Sequence, residues 1–199
     1  MRLHKLLLVG GAVVIAMAAM TAVAFGSTHG KYGSVARDRH ARKSDEVRIG
    51  LTPSSPQLAA CMPGAQLNVE VALTTEERGF DRFEIDARHL PPNRDFTIFL
   101  LEQAGAPFGA AQYIGDFSTD AYGNAHNDLR LIVQEAFAST IVNGVRTRVD
   151  LNRVGVWFAD PLGDDFCLGA GSPTTPFDGD NSAGVQAFNS ANAVPLPAP

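Results

Sequence analysis

The chain has 199 residues, 45% of them hydrophobic and 19% charged, with a formal net charge of −5, 19 glycines, 12 prolines and two cysteines. That length admits one ordinary domain with tails and excludes two full ones. Two cysteines build neither a disulfide-dense miniprotein nor a cysteine-rich zinc module, and an acidic chain is a poor match for nucleic acid.

The N-terminus reads as a targeting segment. Arg2 and Lys5 open the chain, an alanine-rich apolar stretch runs from Leu6 to Phe25, and Ala22-Val23-Ala24 has the small-x-small form that signal peptidase accepts. Residues 1–26 are therefore predicted to be a signal peptide, and the mature protein to be secreted. No cysteine comes just after the apolar run and no Arg-Arg pair precedes it, which sets aside lipoprotein anchoring and the twin-arginine route. The alternative is an uncleaved anchor over residues 6–25. Such a stretch can just span a bilayer, and the positive charges that follow it (Lys31, Arg37, Arg39, Arg42, Lys43) would then hold the body on the cytoplasmic side.

Residues 27–46 are basic and lack apolar periodicity, so they read as a flexible, solvated arm, with anionic headgroups or acidic wall polymers as its alternative partners. From residue 49 onward the balance reverses, with eight arginines and no lysine against 18 acidic residues. The folded body, expected over 47–187, is thus acidic, and no nucleic-acid partner is expected for it. Residues 188–199 are rich in proline and alanine and are expected to be a disordered tail.

Between the tails the apolar period is two. Leu67–Leu73 and Phe83–Ala87 alternate as strands with one buried face, and Leu90-Pro91-Pro92-Asn93 breaks the pairing. Residues 95–101 are apolar on both faces and read as a central strand. Tyr113–Thr119 and Ala125–Val133 flank the turn sequence Asp120-Ala-Tyr-Gly-Asn124, which predicts a hairpin. Gln134–Ser139 fits a single helical turn. Asn143-Gly144 then marks a second hairpin between Thr140–Val142 and Val145–Val149, and Arg153–Ala159 is the last β-branched and aromatic run. Seven or eight strands without sustained helical spacing predict an all-β antiparallel sandwich, immunoglobulin-like in architecture.

Cys61 precedes the first clear strand and Cys167 follows the last, so in an exported chain they are expected to form a disulfide. Trp157 lies only ten residues before Cys167, unlike the Cys–Trp–Cys order of a true immunoglobulin domain. The combination of Leu90-Pro91-Pro92, the apolar strand after it and Gly115–Ala125 resembles small exported bacterial β-sandwich proteins of unassigned function, over roughly residues 66–133. The resemblance implies a fold class and an extracytoplasmic home, and it brings no catalytic residues with it.

No catalytic constellation stands out. There is no Gly-x-Ser-x-Gly elbow and no phosphate-cradling glycine loop. His89 reads as a turn-flanking residue and His126 as a solvent-facing strand residue, with no metal-ligand spacing. The one candidate metal loop is Asp178-Gly-Asp180-Asn-Ser182, whose alternate oxygens suit calcium, with Asp160, Asp164 and Asp165 as further ligands if the fold brings them near. It departs from an EF-hand, because its glycine is seventh and no glutamate closes the loop. Otherwise no cofactor is expected. The sequence thus predicts a secreted, non-catalytic binding or surface-associated module. Its partner is an unknown protein or cell-surface polymer, docked on a sheet face or edge or on the loops around Phe108 and Tyr122. The alternative is an extracellular carboxylate-based hydrolase, with calcium.

Overall fold

The computed structural model describes residues 46–176 and 182–197. The predicted signal peptide or anchor, and all of the basic arm except Glu46, lie outside them. The chain enters through β1 (Glu46–Pro53), α1 (Pro56–Cys61), β2 (Gln66–Ala72), α2 (Thr75–Arg78) and β3 (Asp81–Arg88). It continues through β4 (Asp95–Leu101), β5 (Ala111–Ser118), β6 (Ala125–Leu131), β7 (Phe137–Val142) and β8 (Val145–Asp150). β9 (Arg153–Phe158), α3 (Asp165–Leu168) and β10 (Gln186–Asn189) complete it. The expected all-β antiparallel architecture is present, with β1 and β10 in addition to the eight strands that the alternation marks.

Eight strands hydrogen-bond in the order β5-β4-β9-β10-β1-β2-β3-β6. β1 turns the corner between two layers: residues 46–51 pair with β2, whereas Thr52 and Pro53 pair with β10. At the far ends β5 and β6 meet, where the Asn127 side-chain amide donates to the Asp116 carbonyl at 2.7 Å. The sandwich is therefore close to a closed barrel. β2 and β3 send Leu67, Val69, Val71, Phe83, Ile85 and Ala87 inward, against Phe96, Ile98, Val154, Val156, Phe158 and Phe188 from the opposite layer. Alternation works here because successive strand side chains point to opposite faces.

β4 and β9 are buried on both faces, as the apolar run 95–101 predicts. Their outer face carries Phe99, Leu101 and Trp157, covered by Ala183 and Phe108. The Phe108 ring meets Trp157 edge to face at 5.0 Å, so this side chain helps to cover the sheet while the loop residues around it stay exposed. Tyr122, in contrast, is fully out in solvent.

Cys61 and Cys167 form the expected disulfide, with 5.6 Å between their Cα atoms, and it joins α1 to α3. Ser55 caps α1 by accepting the Leu58 N–H at 3.2 Å, and Pro56 sits in the first turn, where a missing donor costs nothing. A disulfide of this separation forms and persists in an oxidising compartment. Among the described residues no helix is long and apolar enough to cross a membrane.

Three local expectations are corrected. The Asp120–Asn124 turn does not close a hairpin, because β5 pairs with β4 and β6 pairs with β3, so the turn carries the chain from one layer to the other. Gln134–Ser139 is not helical: a tight turn at Val133–Ala136 runs straight into β7, whose β-branched and aromatic residues favour extension. The tail expected to be disordered is packed through residue 197. Phe188 and Asn189 belong to β10, the Ser190 hydroxyl accepts the Val154 N–H at 2.9 Å, and Leu196 is buried with its N–H on the Asn152 carbonyl. Two apolar anchors, Phe188 and Leu196, suffice to hold a segment whose overall composition reads as disordered.

Candidate functional site

Two surfaces stand apart from ordinary solvated exterior. The first is the outer face of β1, β2, β3 and β6. The register places Arg48, Glu70, Glu84 and Asp128 side by side across the four strands, and Gly50, Asn68, Asp86 and His126 in the next row. Directly opposed like charges on a sheet destabilise it, so such a row needs counter-ions. Arg48 supplies one, contacting Glu46 at 2.7 Å and Glu70 at 2.8 Å. Arg82 supplies the other, contacting Glu84 and Asp128 at 2.8 Å each. A hydrogen bond with the Glu46 carboxyl, aided by burial, pushes the Glu70 carboxyl above the ordinary carboxylate range against the pull of Arg48.

In the second row, His126 Nδ1 lies 3.1 Å from Asp86 Oδ1 and 3.8 Å from Glu84 Oε1. Glu84 is held by Arg82 through its other oxygen, Oε2. A shallow cleft of about 550 Å³ begins at Asp86 and His126 and is walled by Arg88, Thr119, Asp120 and Asn124. The sequence context of His126 places it in solvent, and its two carboxylate neighbours are invisible there. The signal that could have found them is the outward pair Glu84 and Asp86 on an alternating strand, combined with the register of β6 against it.

The second surface is the β7–β8 ribbon, which forms a sheet of its own. Asn143 and Gly144 both have positive φ (51° and 79°), the backbone that a two-residue hairpin turn requires. One face carries Ala138, Thr140 and Val142 opposite Val149, Thr147 and Val145; the other carries Phe137, Ser139 and Ile141 opposite Asp150, Arg148 and Arg146. Ile141 is 66% exposed, Val142 48% and Val145 65%, so the hairpin end of the ribbon carries neighbouring exposed apolar side chains. The Arg148 guanidinium sits 4.3 Å above the Phe137 ring and pairs with Asp150 at 3.0 Å. β8 is thus guarded by two arginines, whereas β7 has no charged residue from Phe137 to Val142.

The base of the ribbon is fixed to the body. Leu151 and Ala136, both buried, close it with a backbone hydrogen bond of 2.9 Å. Asp81, buried at the start of β3, accepts the N–H groups of Val133 and Gln134 with one oxygen and those of Thr74 and Thr75 with the other. Burial works to raise this carboxyl, but the hydrogen bonds outweigh it and hold it below the usual range.

Of the calcium candidates, Asp178 and Asp180 lie outside the described residues. Ser182 is half-buried beside Ala183, which bridges to Thr175. Asp164 is buried and engaged within the fold, accepting the Val185 N–H at 3.1 Å and the Ser172 hydroxyl. Asp160 accepts the Leu162 N–H at 2.9 Å and faces solvent, while Asp165 is half-buried at the start of α3. Asp164 is thus a structural strut of the segment before β10. No protein-family model matches the chain, and no curated protein matches it significantly.

Proposed function

We propose that the protein is a secreted, non-catalytic binding module that takes up an extended segment of another protein along the open edge of β7. The observation that carries this reading is an uncharged, β-branched strand edge on a rigidly based ribbon that, among the described residues, belongs to no larger sheet. A two-stranded ribbon is marginal alone, and natural edges are normally blunted by charge, proline or cover. An added strand supplies the missing main-chain hydrogen bonds, and Ile141 and Val142 supply apolar contact on alternate faces. The disulfide and the leader pattern together support action outside the cytoplasm.

Of the carboxylate pairs that a hydrolase would use, Glu46 and Glu70 share Arg48, while Glu84 is held by Arg82 and Asp86 by His126, all on an open sheet face. That setting favours recognition over hydrolysis. The test is Ile141→Asp, which adds charge to the β7 edge at an exposed position. The variant is expected to keep its melting temperature and to lose association with the cell-envelope fraction of the source organism. Equal association of variant and wild type would overturn the reading.

A further inference from the structure

We infer that Glu84, Asp86 and His126 form a binding site for a divalent transition-metal ion, with zinc as its best match. The three donor atoms lie within 4.8 Å of one another on the outer face of β3 and β6. Donors around tetrahedral zinc stand about 3.4 Å apart, given metal–ligand distances near 2.1 Å. The two separations from His126 Nδ1, 3.1 Å and 3.8 Å, bracket that spacing.

The donors are held by the sheet and not by a loop. Glu84 and Asp86 are i and i+2 on β3, so both point outward, and His126 is the cross-strand partner of Asp86. Arg82 grips Glu84 through Oε2 and is itself held by Asp128, which leaves Oε1 aimed at the imidazole. Such an outer partner fixes a ligand's orientation, as carboxylates commonly do for metal-bound histidine. One imidazole and two carboxylates suit zinc and its late first-row neighbours, whereas calcium asks for six to eight oxygens. Asp86 and His126 also line the cleft beside Arg88 and Asn124, from which water or a partner's donor can reach a bound ion.

The experiment is isothermal titration of the full chain with zinc chloride in a non-chelating buffer, on wild type, His126→Ala, Asp86→Ala and a His29→Ala/His40→Ala control. Wild type and the control should each bind one equivalent at this site. His126→Ala and Asp86→Ala should each bind at least tenfold more weakly, with unchanged melting temperatures in metal-free buffer. Zinc should also raise the melting temperature of wild type and not that of His126→Ala. Absence of zinc binding by wild type, or equal binding by wild type and His126→Ala, would overturn the assignment.

Discussion

The Asp81 carboxylate and the Val133 backbone N–H meet at 2.8 Å at the base of the β7–β8 ribbon. Asp81 also takes the Gln134, Thr74 and Thr75 N–H groups, so one buried side chain satisfies four backbone donors from two separate segments. An amide in its place offers one acceptor oxygen instead of two. Asp81→Asn should therefore cost about 2–4 kcal/mol in denaturant unfolding at neutral pH. Because the folded carboxyl titrates below its unfolded counterpart, the stabilisation is complete above the unfolded value of about 4. It is lost as pH falls through the lower folded value. Wild type should accordingly lose more stability than Asp81→Asn on acidification through this range, and parallel curves would contradict it.

Gly123 and Leu90 form the second tight junction. The Leu90 N–H donates to the Gly123 carbonyl at 3.0 Å, and a Cβ on Gly123 would stand 2.0 Å from the Leu90 carbonyl oxygen. Gly64 has a similar φ, +81° against +75°, with no neighbour within 4 Å. Comparing alanine at the two positions separates backbone strain from collision. Gly64→Ala should cost about 1 kcal/mol, from conformation alone, and Gly123→Ala about 3 kcal/mol or more. Equal costs would mean that the two turns are not interlocked.

The Cys61–Cys167 bridge spans a sequence separation of 106. Breaking it relaxes the unfolded chain and should cost about 2–5 kcal/mol, a fall in melting temperature of roughly 10 °C for a body of this size. A thermal melt with and without reductant reads this. Titration of the denatured, unreduced protein should find no free thiol.

Trp157 is the only tryptophan, so fluorescence reports directly on its cover. Phe108→Ala removes the ring that packs against the indole and should shift the emission to the red, at a cost of about 1–3 kcal/mol. Unchanged emission would show that the loop does not seal the sheet. Gly155→Ala tests the same region from beneath, since its Cβ would lie 2.6 Å from the indole ring.

The alternating strands are legible in the sequence because burial on one face leaves a period-two record: Phe83, Ile85 and Ala87 face the core while Arg82, Asp86 and Arg88 do not. β4 is equally plain, since both of its faces are covered. β1 and β10 are not, because Gly50 and Pro53 interrupt one pattern and the other has only four residues. The Asp120–Asn124 turn is readable as a turn, but local backbone preference says nothing about which layer receives the next strand. Likewise Asn143-Gly144 announces a hairpin without saying that the hairpin stands outside the main sheet. The His126 cluster depends on register between residues 40 positions apart, a non-local fact that single-strand periodicity does not carry.

The most direct measurement of the ribbon's role is site-specific photo-cross-linking in the source organism, with a photoreactive phenylalanine analogue at Ile141 or, as control, at Tyr122. Both positions are exposed, but only the first lies on the β7 edge. A discrete adduct with another protein from position 141 that is absent from position 122 is the predicted result, whereas an adduct of twice the chain's own mass would make a second copy the occupant and contradict it. No adduct at position 141, or the same adducts from both positions, would contradict recognition through β7.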